Sequence, residues 1–209
     1  RHKVNYEILN DSKGNIWVAT LDKGLAKWNE SDSTFTYFSE EVGLANNHIR
    51  CLKEDSWGNL WIGTSGGGIS KFSGQYFKSY NNLSSGIASN YIFAVKAQND
   101  SNVWVSTSGL GVDKVGLNNT VHYGSDSGFA DVKVKAIMKS KGGLVWFGTE
   151  GRGVYIYRDG KFEFPSFNKQ LGSRWIKGIK EDSKGQVWIV TSGGGVLNVD
   201  ENSLEIRSK

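Results

Sequence analysis

Short stretches of the sequence combine amide, cationic and aromatic side chains of the kind that binds sugars. Amide and guanidinium groups exchange hydrogen bonds with hydroxyls, and a flat aromatic ring packs under the apolar face of a pyranose. Arg50, Lys133 and Arg174 would also suit an acidic sugar. The candidate ligand-binding residues are Asn47, His48, Arg50, Asn90, Tyr91, Lys133, Arg174 and Trp175.

Residues that could serve catalysis or bind a metal are scattered. His2, His48 and His122 are not spaced with a cysteine or a second histidine as metal ligands are. The adjacent carboxylates Glu40–Glu41 and Asp200–Glu201 are expected to face apart, whereas glycosidases need two carboxyl groups about 5–10 Å apart across the substrate. We therefore expect no catalytic residue, no metal site and no cofactor. A carboxylate pair drawn from two distant parts of the chain stays open.

The secondary-structure elements that position the binding residues are encoded by a repeated sequence motif. Five times a tryptophan is followed three residues later by threonine, and successive tryptophans lie 44, 43, 42 and 42 residues apart. A period of about 40–50 residues built from strand-like segments is typical of a β-propeller blade. The copies are Trp17–Thr20, Trp61–Thr64, Trp104–Thr107, Trp146–Thr149 and Trp188–Thr191.

Each copy predicts four strands, so we expect an all-β chain with one β-propeller domain over residues 1–209. The five four-stranded blades make either a closed five-bladed ring or a fragment of a seven-bladed one. The candidate ligand-binding residues fall where each blade begins, in loops over a regular scaffold, which is where binding sites commonly lie. The approximate blades are 1–40, 41–82, 83–125, 126–167 and 168–209.

Apolar residues recur at fixed distances from the tryptophans. A branched apolar residue stands nine positions before each tryptophan, and the residue before it is small in four of five copies. This pattern suits a crowded innermost strand, so Cys51 is predicted to be a core residue rather than a reactive thiol. Another apolar residue stands eight positions after each tryptophan and is predicted to lie between stacked blades. The two sets are Ile8, Leu52, Val95, Ile137 and Ile179, then Leu25, Ile69, Val112, Val154 and Val196.

Three copies carry a turn that begins with Asp11, Asp55 or Asp182 and has a glycine three residues later. This spacing predicts a type I turn ending in a left-handed glycine rather than a calcium loop, because alternating carboxylates are missing. Trp57 lies in one such turn, where lysine stands in the other two. We expect it to be exposed and to mark a protein contact surface.

Composition excludes several classes of function. The chain has 209 residues and a formal net charge of +4, and its basic residues are scattered rather than interleaved with aromatics, so we expect no nucleic-acid contact. No apolar run approaches the about 18 residues of a membrane span, so we expect no membrane contact within this chain. Because it opens at Arg1 without an apolar leader, we expect a mature or excised piece.

The repeat resembles the two-component regulator propeller repeat. Its best copy is Lys53–Gly68, which reads KEDSWGNLWIGTSGGG, and the resemblance extends over essentially the whole chain. The resemblance implies the periplasmic sensor region of a hybrid two-component system of the Bacteroidetes type, which responds to glycan fragments. It also implies that family propellers usually have seven blades, whereas this chain supplies five.

From the resemblance and the missing catalytic motifs we expect a non-enzymatic extracytoplasmic sensor module with an oligosaccharide ligand. A protein-interaction or dimerisation scaffold is one alternative, in which a second copy or neighbouring propeller blades would be the partner. A propeller lyase or glycosidase is the other.

Overall fold

The computed structural model describes residues 5–99, 102–116, 119–129 and 133–208. In this part of the chain the fold consists of twenty β-strands and three short 3-10 helices. The strands form five separate antiparallel sheets of four, and in each sheet consecutive strands pair in chain order. This is the four-stranded meander that the repeat predicts for each blade.

The bounds of the strands follow the five copies of the repeat. Blade 1 contains β1 (Asn5–Asn10), β2 (Ile16–Thr20), β3 (Leu25–Asn29) and β4 (Thr34–Phe38). Blade 2 contains β5 (Ile49–Glu54), β6 (Leu60–Thr64), β7 (Ile69–Phe72) and β8 (Phe77–Tyr80). Blade 3 contains β9 (Ile92–Asn99), β10 (Asn102–Thr107), β11 (Val112–Gly116) and β12 (Thr120–Tyr123).

The last two blades have the same order. Blade 4 contains β13 (Val134–Lys139), β14 (Val145–Thr149), β15 (Val154–Arg158) and β16 (Lys161–Glu163). Blade 5 contains β17 (Ile176–Glu181), β18 (Gln186–Thr191), β19 (Val196–Asp200) and β20 (Ile206–Ser208). The 3-10 helices are Glu40–Val42, Ser125–Ser127 and Ser166–Gln170.

The chain divides into two compact units. The N-terminal unit comprises Arg1–Ser108 and Asp113–His122, and the C-terminal unit comprises Gly109–Val112 and Tyr123–Lys209. In the N-terminal unit one apolar core lies between blades 1 and 2, and a second lies between blades 2 and 3. In the C-terminal unit the core lies between blades 4 and 5. Burial between stacked sheets is therefore what stabilises each unit.

The aspartate turns hold the repeat tryptophans in place. Asp55 accepts hydrogen bonds from the backbone N–H groups of Trp57 and Asn59, and its second oxygen accepts the indole N–H of Trp61 at 2.9 Å. Asp11 and Asp182 bind Trp17 and Trp188 in the same way. The predicted turn geometry is confirmed, since Gly14, Gly58 and Gly185 have φ of 81°, 78° and 77°.

These hydrogen bonds change the acidity of the turn carboxyls. Burial alone would raise the pKa of Asp55, but the side-chain hydrogen bonds from Asn59 and Trp61 and the backbone N–H bonds together hold that pKa below its usual range. The pKa of Asp11 is lowered for the same reasons. In blade 4 serine replaces this aspartate, and the buried indole nitrogen of Trp146 has no hydrogen-bond partner in the described part of the chain. The aspartate is thus a structural partner of the tryptophan.

Small residues in the second strands make room for the next blade. A Cβ on Gly63 would lie 2.4 Å from Cys51 Sγ and 2.7 Å from Ile92 Cγ2, and a Cβ on Gly148 would lie 2.5 Å from Ile176 Cγ2. Cys51 is buried, as predicted. Burial, together with the nearby Glu7 carboxylate, raises the pKa of its thiol to about 12, so the thiolate is disfavoured.

The prediction of buried apolar positions is wrong at both end blades. Ile8 in blade 1 is 65% exposed, although its counterpart Leu52 is completely buried. In blade 5, Val196 is 43% exposed and Trp188 is 38% exposed, whereas Trp146 is completely buried. Sequence periodicity identifies the repeated apolar positions but carries no information about which of them a neighbouring sheet covers.

Candidate functional site

The first strand of every blade contains a β-bulge at the same position, eleven residues before the repeat tryptophan. In each blade the pairing between the first and second strands skips one residue of the first strand. These first strands are β1, β5, β9, β13 and β17. Bulges leave one residue outside the regular ladder and redirect its side chain. The bulged residues are Tyr6, Arg50, Phe93, Lys135 and Lys177.

The residue immediately before each of the last four first strands is one that the sequence singled out. His48, Tyr91, Lys133 and Trp175 hold this position in blades 2 to 5, and all four side chains are exposed. We call the residues before each first strand the leading loop. We call the residues between the second and third strands the glycine loop.

Backbone hydrogen bonds join the leading loop of one blade to the glycine loop of the blade before it. The carbonyl oxygen of Asn90 accepts the N–H groups of Gly66 and Gly68, at 3.0 and 2.9 Å. The carbonyl oxygen of Arg174 accepts those of Gly151 and Gly153, at 3.1 and 3.0 Å. The loops at this end of the blades are therefore fixed in part by main-chain contacts.

Asn47 and Asn90 use their side chains inside the leading loops. The amide oxygen of Asn47 accepts the backbone N–H of Glu40 at 2.9 Å, and that of Asn90 accepts the N–H of Asn82 at 2.8 Å. Both amides thereby fix the connection from the preceding fourth strand. These contacts give the two asparagines a structural role in shaping the loops.

In the N-terminal unit, two of the predicted binding residues pack against neighbours. The guanidinium of Arg50 lies 5.0 Å from the ring centre of Phe93, a cation–π contact between two bulged residues. Tyr91 is 54% exposed and lies beside Gly66, where its Cζ is 4.0 Å from the position of a Cβ. His48 is exposed in the leading loop of blade 2, and its carbonyl oxygen accepts the N–H of Ser65.

In the C-terminal unit, the same positions surround a cavity of about 270 Å³. Trp175 is 52% exposed at its edge, and its indole ring lies over Gly151 of the preceding blade. The bulged Lys135 forms an ion pair with Glu150 at 3.5 Å. The cavity is lined by Lys135, Glu150, Trp175, Ile176 and Lys177.

Of the residues that line this cavity, Trp175 is among the candidate ligand-binding residues, whereas Lys135, Lys177 and Glu150 are not. Lys135 and Lys177 lie one residue inside their strands, where strict alternation gives no sign that a bulge redirects them. Their common position, eleven residues before a repeat tryptophan, is the signal that could have found them. Lys133 and Arg174 belong to the adjoining leading loops, where their carbonyl oxygens bind Glu150 and the two glycines.

A second set of polar side chains lies in blade 3. Asp113 on β11 is completely buried and accepts hydrogen bonds from the Ala88 backbone N–H at 2.9 Å and from His122 Nδ1 at 2.7 Å. Burial raises the pKa of the Asp113 carboxyl, although both hydrogen bonds oppose this. Ser70 holds the equivalent position in blade 2 and accepts the Ala45 N–H. In both blades the side chain at this position therefore joins the leading loop to the sheet of its own blade.

The remaining features concern the exposed Trp57, possible metal ligands and possible membrane-spanning helices. Trp57 is 58% exposed, as predicted, with Lys71 Nζ 5.7 Å from its ring centre. In the described part of the chain, no three histidine, cysteine or acidic side chains are grouped so that they could hold a metal ion. None of the helices there has the length and hydrophobicity that crossing a membrane requires.

Residues 43–66 match the family model described as Two component regulator propeller. This segment contains most of the best copy of the repeat, so the resemblance seen in the sequence is confirmed. No curated protein is similar enough in sequence to match the chain.

Solved structures share the fold. The extracellular domain of BT3049 from B. thetaiotaomicron, described as a hybrid two component system, aligns with a TM-score of 0.80 and 21% identity over 98% of this chain and 28% of its own. The extracellular domain of BT4673 from the same organism aligns with a TM-score of 0.82 and 20% identity, over 99% of this chain and 31% of its own. The present chain thus spans less than a third of either domain.

A third similar structure is an enzyme. Virginiamycin B lyase from Staphylococcus aureus aligns with a TM-score of 0.75 and 14% identity, over 97% of this chain and 68% of its own. At such identities the likeness establishes the fold alone. Together with the five sheets, it identifies this protein as a β-propeller chain of five four-stranded blades, of which residues 43–66 match the two-component regulator propeller model.

Proposed function

We propose that this chain is a ligand-binding propeller section of an extracytoplasmic sensor in a two-component signalling protein, and that its ligand is a glycan fragment. The observation that carries the proposal is the cavity in the C-terminal unit, where the exposed indole of Trp175 stands beside two lysines and a carboxylate. Support for the signalling role comes from the repeat and from the similar extracellular domains. A periplasmic location is part of the same proposal.

The chemistry of the cavity suits a sugar. An indole ring offers a flat apolar surface to the C–H groups of a pyranose, while lysine ammonium groups donate and the Glu150 carboxylate accepts hydrogen bonds from hydroxyls. Glu150 and Trp175 are also joined through a β-bridge between their backbones. A ligand lying on Trp175 would therefore touch a surface whose geometry is fixed before binding, which lowers the entropy cost of binding.

The position of the site suggests how binding reaches the rest of a sensor. The leading loop of blade 5 accepts hydrogen bonds from the glycine loop of blade 4 through Arg174, and from that of its own blade through Trp175. A ligand on Trp175 would bias the arrangement of both loops at once. In a sensor, such a bias shifts the population of signalling states by the difference in affinity between them.

The test is a calorimetric titration of the intact chain with a panel of neutral and acidic mono- and disaccharides. Every mixture is then analysed for reaction products. We expect saturable binding of at least one sugar without formation of a product. Trp175→Ala should abolish binding, while Trp57→Ala removes another exposed tryptophan and should leave binding intact. Absence of binding across the panel, or equal loss in both variants, would contradict the proposal.

A lyase or glycosidase is the second candidate, favoured by one observation. The buried Asp113 carboxylate orients the half-exposed His122 ring, which is an arrangement that general bases use, and a similar structure is a lyase. If this candidate is right, the panel should yield a cleaved product that His122→Ala prevents. Unaltered sugars after prolonged incubation with folded protein would exclude cleavage of the panel's sugars.

A further inference from the structure

We propose that the site in the C-terminal unit is selective for a sugar acid, and that Lys177 binds the carboxylate. This inference rests on the proposed function, because it specifies the ligand class of the same cavity. It goes further by predicting that the charge of the sugar, rather than its hydroxyl pattern alone, decides which ligands bind.

The two lysines of the cavity differ in their surroundings. Lys135 forms an ion pair with Glu150, with Nζ and Oε1 3.5 Å apart, so its charge is matched by a carboxylate of the protein. Lys177 lines the same cavity from the equivalent bulge of the next blade, and its side chain is exposed. The cavity therefore contains one more cation than anion. A carboxylate of the ligand beside Lys177 would restore the balance.

The sequence segments that contain the cavity residues also carry a net positive charge. Segments 133–135, 150–153 and 174–177 together carry five lysine or arginine side chains against one glutamate. Outside these segments the chain's basic and acidic side chains are equal in number, so its whole formal charge of +4 is accounted for here. Charge of one sign around a concave site raises the local concentration of an oppositely charged ligand.

The volume of the cavity limits how large a portion of the glycan ligand can enter it. Pockets for drug-sized ligands occupy roughly 300–1,000 Å³, and this one measures about 270 Å³. It is therefore suited to a single ring, such as the terminal residue of a fragment, with the indole of Trp175 against one face. A hexuronate combines this size with one carboxylate attached directly to the ring.

The N-terminal unit does not repeat this arrangement. At the equivalent bulges, the two lysines are replaced by Arg50 and Phe93, and the guanidinium packs on the aromatic ring at 5.0 Å. A cation in such a contact is already stabilised by the ring. Among the described side chains at the bulges of blades 2 to 5, lysines therefore stand at two neighbouring bulges in blades 4 and 5 only.

The experiment compares sugars of similar size that carry or lack a negative charge. The intact chain is titrated calorimetrically with galacturonate and glucuronate, with their uncharged methyl esters, and with galactose and glucose. We expect at least one acid to bind about tenfold more tightly than its ester, and the difference to shrink at high salt, as an attraction between charges does. Equal affinity for acid and ester would overturn the inference while leaving a neutral-sugar sensor intact. Absence of binding by all six compounds would overturn the proposed function as well.

Variants locate the carboxylate. Lys177→Gln should reduce the preference for the acid to less than about twofold, because the acid loses the charged partner of its carboxylate and so loses more affinity than the ester. Lys180→Gln removes the same charge three residues along β17 and should keep the preference. Both side chains are exposed, so we expect both variants to melt at the temperature of the parent chain. A preference that survives in Lys177→Gln, or that is lost equally in Lys180→Gln, would contradict the role of Lys177.

Discussion

The indole ring of Trp175 lies over Gly151 of the preceding blade, with Nε1 3.6 Å from the point that a Cβ on this glycine would occupy. Gly151 has a φ of 96°, which side-chain-bearing residues rarely adopt, and a larger side chain would also push against the ring. The glycine loop of blade 4 thus lies next to the indole of Trp175, and this residue is 52% exposed. This relationship prepares Trp175 to receive a ligand.

Gly151→Val is expected to weaken sugar binding without unfolding the protein. The added side chain would displace the indole and strain the loop, so we expect the affinity to fall about tenfold and the unfolding free energy to fall by about 1–3 kcal/mol. Gly143→Val is the matched control, because it places the same side chain at a φ of 94° in a turn with nothing within 4 Å. It should cost similar stability and leave affinity unchanged. Calorimetric titration and urea unfolding of both variants measure the two effects.

Gly148→Ala is expected to destabilise the C-terminal unit through overpacking. Its new Cβ would lie 2.5 Å from Ile176 Cγ2, a distance at which one of the two strands must move. We expect a loss of about 1–3 kcal/mol in unfolding free energy. Gly178→Ala introduces the same methyl group on the adjacent strand with nothing within 4 Å, and should be nearly neutral. Equal urea midpoints for the two variants would contradict the packing described between β14 and β17.

Asp55→Ala is expected to destabilise the N-terminal unit by about 1–3 kcal/mol, because it leaves the indole N–H of Trp61 and two backbone N–H groups without their acceptor. Trp61 is 6% exposed, so water cannot fully replace the lost bond. Asp182→Ala removes the equivalent partner of Trp188, which is 38% exposed, and should cost less. Thermal unfolding of both variants tests this order.

Acid should destabilise the protein partly through the turn aspartates. The folded-state pKa values of Asp11 and Asp55 lie below the ordinary value of 3.8, so their contribution is fully present above that value and is lost as the pH falls through the folded pKa. The melting temperature should therefore drop steeply between about pH 4 and pH 2. In Asp55→Asn the drop should be shallower. An identical profile in the variant and the parent would show that Asp55 does not titrate as described.

Trp146→Ala is expected to be far more damaging than Trp188→Ala, although both replace the same residue of the repeat. Trp146 is completely buried and stacks on Phe167, with ring centres 6.2 Å apart, so its removal should cost about 3–5 kcal/mol. Trp188 lies on the outer face of blade 5 and leaves a much smaller gap. Chemical denaturation gives both values, and similar losses would mean that the outer face of blade 5 is covered in solution.

The repeat was sufficient to predict the blades because its spacing and its chemistry act locally. The tryptophan, the turn aspartate and the glycines each contact residues of their own or the next copy, as in the bond from Trp61 to Asp55. The exposure of repeat residues in blades 1 and 5 could not be predicted from these local contacts. Ile8 and Trp188 have the right residue types, and their exposure depends on which sheets are present to cover them.

The candidate site was predictable only in part. Trp175 stood out as a large aromatic residue in a variable loop, and the structure places it at the edge of a cavity. Lys135 and Lys177 are recognisable as polar residues where their blades begin, but strict alternation does not reveal the β-bulges at which they lie. The asparagines were recognised as polar loop residues, but their role in fixing the loop depends on contacts with Glu40 and Asn82.

Binding of a sugar acid on Trp175 can be followed through the indole N–H resonances of the isotopically labelled chain while a hexuronate is added. The chain has eight tryptophans, and loss of one signal in Trp175→Phe identifies the resonance of interest. If the ligand binds on Trp175, the Trp175 resonance should shift with saturation, the Trp57 resonance should stay in place, and the sugar should remain unchanged. A Trp175 resonance that does not move while the sugar binds would contradict the account, because the ligand would then lie elsewhere on the propeller.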